Sequence, residues 1–182
     1  MDVSELSKAF FKAIDEQVGA FDRPIRFHPF PFDAGGSLNF LTVGSRLKSP
    51  VTYVSWDLFG HAAQKRGALG RYELVMTCDD PDWATNIVTK IGRQSLQEVF
   101  DPGDTLDIGP WVEPNGAIQG IIFEQAFQTR IGDEPCGLLR CLGVTRPELK
   151  FASEKGVSPL LEVLKRKGIY PNTLIGRKTV EL

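Results

Sequence analysis

Val51-Thr52-Tyr53-Val54-Ser55-Trp56-Asp57-Leu58-Phe59 and, beyond a loop containing Gly, Lys and Arg, Arg71-Tyr72-Glu73-Leu74-Val75-Met76-Thr77-Cys78 are the residues on which the fold turns. In the second run Tyr72, Leu74, Met76 and Cys78 alternate with Arg71, Glu73, Val75 and Thr77, the period of a sheet with one face more deeply buried than the other. The two runs are expected to pair as a hairpin with a long loop. Directly after them, Asp79-Asp80-Pro81-Asp82-Trp83 opens a helix: an Asp cap, a Pro at the first helical position and a further acid near the positive end of the dipole. On that helix Trp83, Ile87, Val88 and Ile91 are spaced to face the sheet.

Toward the N-terminus Leu6, Phe10, Ile14 and Val18 recur every fourth position, which predicts a helix over Val3 to Val18 with an Asp2/Glu5 capping box and a stop at Gly19. From Phe21 to Ser49, prolines, glycines and aromatics predict extended loops with one short strand. After Pro102-Gly103-Asp104, further strands are expected at Thr105 to Ile108, Ala117 to Phe127 and Gly137 to Val144. Thr145 and Glu148 form a capping box with Pro147 in the first turn and Gly156 as the stop. Ser158-Pro159 then starts a last helix that turns Leu160, Leu161 and Leu164 inward and ends at Gly168. The order of elements predicts an α+β fold, a central mixed, largely antiparallel sheet covered by helices.

Composition narrows the classes of function. A chain of 182 residues fits one domain, 1–182, with a full core. Its 21 basic and 23 acidic residues nearly cancel, so it lacks the strong positive field that would hold it to nucleic acid. The one basic run, Lys165-Arg166-Lys167, reads as a solvated helix C-terminus. No stretch approaches the ~18–20 apolar residues that cross a bilayer, and the acidic, helical N-terminus is unlike a secretory signal. A cytoplasmic protein without membrane contact is expected. Cys78, Cys136 and Cys141 form an odd set without a Cys-x-x-Cys pair and are expected to be buried thiols rather than a disulfide framework or a zinc site.

Few residues fall into a catalytic or metal-binding pattern. His28 and His61 belong to no metal-ligating spacing, the aspartates at 79, 80 and 82 lack the pattern of a calcium loop, and no cofactor is expected. Arg66-Gly67-Ala68-Leu69-Gly70 lacks the ending of a phosphate loop and reads as a turn. Ser55, Asp57 and His61 bring nucleophile, acid and base types within seven residues, which makes a small hydrolase the enzymatic alternative. On one strand, however, Ser55 and Asp57 would point the same way about 7 Å apart, whereas a triad needs its His between the other two. Glu73, Glu113 and Glu124 are read as isolated, solvated strand acids.

Taken in order, several of these segments resemble the Suppressor of fused family. They are Tyr53-Val54-Ser55-Trp56 with Leu58; Gly70-Arg71-Tyr72-Glu73-Leu74-Val75; Trp83 and its helix, ending at Asp101-Pro102-Gly103-Asp104; Leu138-Leu139-Arg140-Cys141-Leu142-Gly143-Val144-Thr145 running into Glu148-Leu149; and a closing Leu174-Ile175-Gly176-Arg177-Lys178-Thr179-Val180 similar to the family's terminal strand. The likeness spans Val51 to Val180 and is to the family's N-terminal domain; Asp57 and Phe59 stand where the family usually has a Gly followed by a small hydroxyl residue. The resemblance implies a non-enzymatic protein-binding domain. Its partner would be a toxin, neutralised in the manner of bacterial immunity proteins, or a short peptide of a transcription factor under regulation. It also implies that Tyr53 lies on the partner-contacting strand, with Trp56 and His61 as further candidates. Buried core aromatics are the competing reading of Tyr53 and Trp56.

Overall fold

The computed structural model describes residues 3–18, 38–43 and 49–182. Its central element is a seven-stranded mixed sheet. The strands are β1 (Asn39–Val43), β2 (Val51–Trp56), β3 (Arg71–Cys78), β4 (Thr105–Asp107), β5 (Ile118–Ile131), β6 (Glu134–Thr145) and β7 (Asn172–Thr173). The order across the sheet is β1-β2-β3-β6-β5-β4, with all neighbours antiparallel except β3 and β6. β3 and β6 stay paired only from Arg71/Cys136 to Val75/Arg140. Where they part, β7 takes over, running parallel to β3 at Thr77 and Cys78 and tied to β6 by Gly143 N–H donating to Thr173 Oγ1 at 2.8 Å.

Among the described residues four α-helices cover the two faces: α1 (Val3–Val18), α2 (Pro81–Gln94), α3 (Arg146–Lys155) and α4 (Val157–Arg166). α2 starts where the sequence places it, with Asp80 accepting from Trp83 N at 2.9 Å and Pro81 in the first turn. Its Ile87, Val88 and Ile91 bury against Tyr72, Leu74 and Met76, while Trp83 sits half-buried at the margin of this core. On the opposite face the period of two along β6 divides the cover. Cys136 and Leu138 lie with Phe10, Phe11 and Ile14 of α1, and Leu142 and Val144 lie under Leu149, Leu160 and Leu164 of α3 and α4. With helices on both sides, β3 is buried from Tyr72 to Cys78, so the single deeply buried face expected from its alternation becomes two.

Several boundaries differ from the sequence reading for identifiable reasons. β2 stops at Trp56 rather than Phe59 because Asp57 adopts φ 89, outside any strand conformation, held by Asn39 Nδ2 donating to Asp57 Oδ2 at 2.6 Å. β5 runs on to Ile131, four residues beyond Phe127, and meets β6 through a two-residue turn in which Gly132 takes φ 61, a conformation natural to glycine. The closing segment 174–180 forms no strand; only Asn172–Thr173 joins the sheet. In the glycine- and proline-rich region the expected short strand is β1, whereas His28 and the rest of 19–37 and 44–48 lie outside the described residues, as does the Asp2 cap. Cys78, Cys136 and Cys141 are all free and buried. Burial pushes the first two thiols up to about 12 and about 11, and the third upward as well.

Candidate interaction site

The early end of β2 creates a polar cluster in the interior. Beyond the last pair, Val54 with Val75, the main chain of β3 still presents groups toward the missing strand, and side chains replace it. Leu74 N donates to Ser55 Oγ at 2.8 Å. Gln64 Nε2 donates to the Tyr72 carbonyl at 2.6 Å, and Gln64 Oε1 accepts from Tyr72 N. The Ser55 hydroxyl donates onward to Glu73 Oε2, and Glu73 Oε1 accepts from Phe59 N at 2.8 Å. Glu73 is therefore not the solvated strand acid its sequence context suggested; it is 0% exposed. Burial pushes its carboxyl up to about 8, with the bonds from Ser55 and Phe59 opposing. The neighbouring guanidinium of Arg71 is engaged by the carbonyls of Phe59 and His61.

Each of the three residues of the enzymatic alternative is bonded to a partner outside the set. Ser55 is fully buried and bonded to Glu73 and Leu74; Asp57 is exposed and bonded to Asn39; His61 Nδ1 accepts from Ala63 N at 3.2 Å. The acid beside Ser55 is Glu73, and the arrangement fastens the β2–β3 connection to the sheet. Of the residues expected to touch a partner, Tyr53 is 2% exposed in the core on the α2 side, on a strand bonded on both sides by β1 and β3. Contact through Tyr53 would require β1 or α2 to move. Trp56 is half-buried on the other face, its ring stacked on Phe11 at 4.3 Å. His61 is half-buried in the connection.

A second buried carboxylate organises the other end. Glu148, in the first turn of α3, forms the capping box with Thr145, accepting from Thr145 N at 2.9 Å, and also receives Arg177 at 2.6 and 2.5 Å and Val180 N at 2.9 Å. Burial alone would raise its pKa, but the Arg177 bonds and the two N–H groups hold it below its ordinary value. The segment read from sequence as a terminal strand is thus a strap, fixed by a side-chain ion pair rather than by a ladder.

The surface best suited to another chain is the arm formed by the ends of β5 and β6. β4 pairs only with Gly120 to Ile122, so among the described residues the outer edge of β5 from Gln125 to Ile131 carries no strand. Counting back from the two-residue turn, antiparallel alternation directs the N–H and C=O of Gln128 and Arg130 outward. Phe127 and Ile131 lie half-buried beside α1. Sequence reasoning stopped at Phe127, although Phe127-Gln128-Thr129-Arg130-Ile131 alternates and is followed by Gly-Asp, a turn pair that could have revealed the arm. No helix among the described residues is long and apolar enough to cross a membrane, and no group of three or more His, Cys, Asp or Glu among them is arranged to hold a metal.

Comparison with known proteins assigns this architecture to a class. The family model of the Suppressor of fused protein matches residues 37–178, and the chain belongs to that family. Two solved structures share the fold. One is described as the Sufu–Fu complex, with a TM-score of 0.69 at 13% identity, covering 97% of this chain and 91% of that one. The other is Drosophila Suppressor of Fused, with a TM-score of 0.67 at 15% identity, covering 96% of this chain but only 50% of that one. No curated protein sequence matches.

Proposed function

We propose that this chain is a non-enzymatic, cytoplasmic protein-binding domain that acts by occupying its partner, and that the partner is a toxin which it neutralises. The observation that carries the reading is the unpaired outer edge of β5 from Gln125 to Ile131. An extended segment of a partner added there would gain main-chain hydrogen bonds, with Phe127, Thr129 and Arg130 selecting its side chains. Membership of the Suppressor of fused family supports the same reading, as does likeness to a chain solved in the Sufu–Fu complex. Because strand addition also suits a short unfolded peptide, the alternative partner is a segment of a transcription factor under regulation.

Co-expression with the product of the adjacent gene tests the proposal. A toxin partner gives growth rescue and a co-purifying complex, and Arg130→Pro, which removes an outward N–H while sparing the β6 ladder, abolishes both at unchanged thermal stability. Absence of rescue and of a complex, or full rescue by Arg130→Pro, overturns it. A complex formed only with a short peptide moves the assignment to the regulator.

A further inference from the structure

On the α2 face a cleft of about 320 Å³ opens between α2, the 3-10 turn Gly109–Trp111 and the strap. It is lined by Trp83, Ile87, Trp111, Val112, Glu113 and Ile175, among others. Trp83, Trp111, Val112 and Ile175 are half-buried and packed against the main core, so the walls are fixed by the fold while part of each indole remains open. Glu113, an exposed residue, is part of the lining, and its carboxylate meets no cation among the described residues. Two further acids stand beside lining residues. Asp82 precedes the lining residue Asn86 by one helical turn, and Asp79 accepts from Ile175 N at 3.0 Å. The nearby cation, Lys90, donates to the Trp111 carbonyl at 3.2 Å and is not among the lining residues.

Two indoles and a glutamate without a cation partner among the described residues, all lining one concavity, suit a flat organic cation. A guanidinium stacks on an indole face through its charge and its plane, and its edge forms paired hydrogen bonds with a carboxylate. We infer that the Trp83/Trp111 cleft binds an arginine side chain of the partner protein, with Glu113 as its counter-ion. The inference rests on the protein-binding reading and adds to it the chemistry of one partner residue, at a site distinct from the β5 edge.

The sequence contains three tryptophans, so the indole N–H signals of the isotope-labelled protein report Trp83 and Trp111, with Trp56 as an internal control. Titration with N-acetylarginine amide is expected to move the first two saturably and leave the third in place. The neutral isostere N-acetylcitrulline amide should produce no saturable shift, and Glu113→Gln should weaken arginine binding at least about fivefold, the scale of a charge-assisted bond lost at a partly exposed site. Asp82→Asn, a change farther from the ligand, should weaken it less. Equal response to citrulline, equal movement of Trp56, or an unchanged affinity in Glu113→Gln overturns the inference. The titration needs no partner, so its failure leaves the edge assignment standing. Loss of the co-purifying complex in Arg130→Pro leaves the arginine titration unaffected.

Discussion

Glu73 lies at the centre of the sheet, where β2 ends early; Glu148 lies at the sheet's other end, in the first turn of α3. Both are 0% exposed, and both accept from main-chain N–H groups. What separates them is the remaining partner. Glu73 has the neutral hydroxyl of Ser55, because Arg71 is engaged by carbonyls, and burial drives it toward the protonated form. Glu148 has Arg177, itself only 6% exposed, and remains ionised. The same side chain, sealed from solvent in both places, has its pKa moved in opposite directions according to whether the fold delivers a cation, since an isolated ion in a low-dielectric interior is far costlier than a paired one.

The largest effect is expected for Glu148→Ala, which strands the Arg177 charge and frees the strap. A loss of about 3–5 kcal/mol in chemical denaturation is expected, larger than for any change at Glu73. Charge states can be read from the pH dependence of stability. Glu73 has a folded pKa near 8, above its unfolded value near 4.5, so its contribution is fully present below pH 4.5 and is lost as pH rises toward 8. The slope should reach about 1.4 kcal/mol per pH unit within that window and vanish in Glu73→Gln. Glu148 has the reverse sign, its folded pKa lying below the unfolded one. Its contribution is present above pH 4.5 and fades as pH falls through the folded value, so Glu148→Ala should flatten the acid limb alone. A Glu73→Gln protein that kept the wild-type slope between pH 5 and 8 would mean that Glu73 is ionised after all. The smallest effect is expected for Ser55→Ala, about 1–2 kcal/mol, because Leu74 N–H and Glu73 both lose a neutral partner. If its cost matched that of Glu148→Ala, the distinction between the two sites would collapse.

The two regions also differ in how far they could be read in advance. Thr145 and Glu148 are three residues apart, so their capping box is a local pattern and was legible. The 29-residue reach from Glu148 to Arg177 was not, and the strand expected at 174–180 rested on likeness to the family's terminal strand, which carries no sign of that reach. Around Ser55 the obstacle was of the same kind. Its true partners lie 18 and 19 residues away on β3, while the conspicuous neighbours Asp57 and His61 bond elsewhere. Trp83 was placed on the sheet-facing side of α2, as its spacing requires, yet only the approach of Trp111 and Ile175 turns that margin into a cleft.

By itself the chain determined what repeats at short range: the start of α2 at Asp80 and Pro81, the alternation of β3, the stop of α3 at Gly156 and the ordered motifs of the Suppressor of fused family. Tertiary structure alone decided which strand edge stays open, which aromatics are sealed and which buried carboxylate meets a cation. Periodicity and capping depend on residues a turn apart. Burial, edge pairing and charge compensation depend on segments brought together across tens of residues, and no local pattern encodes that meeting.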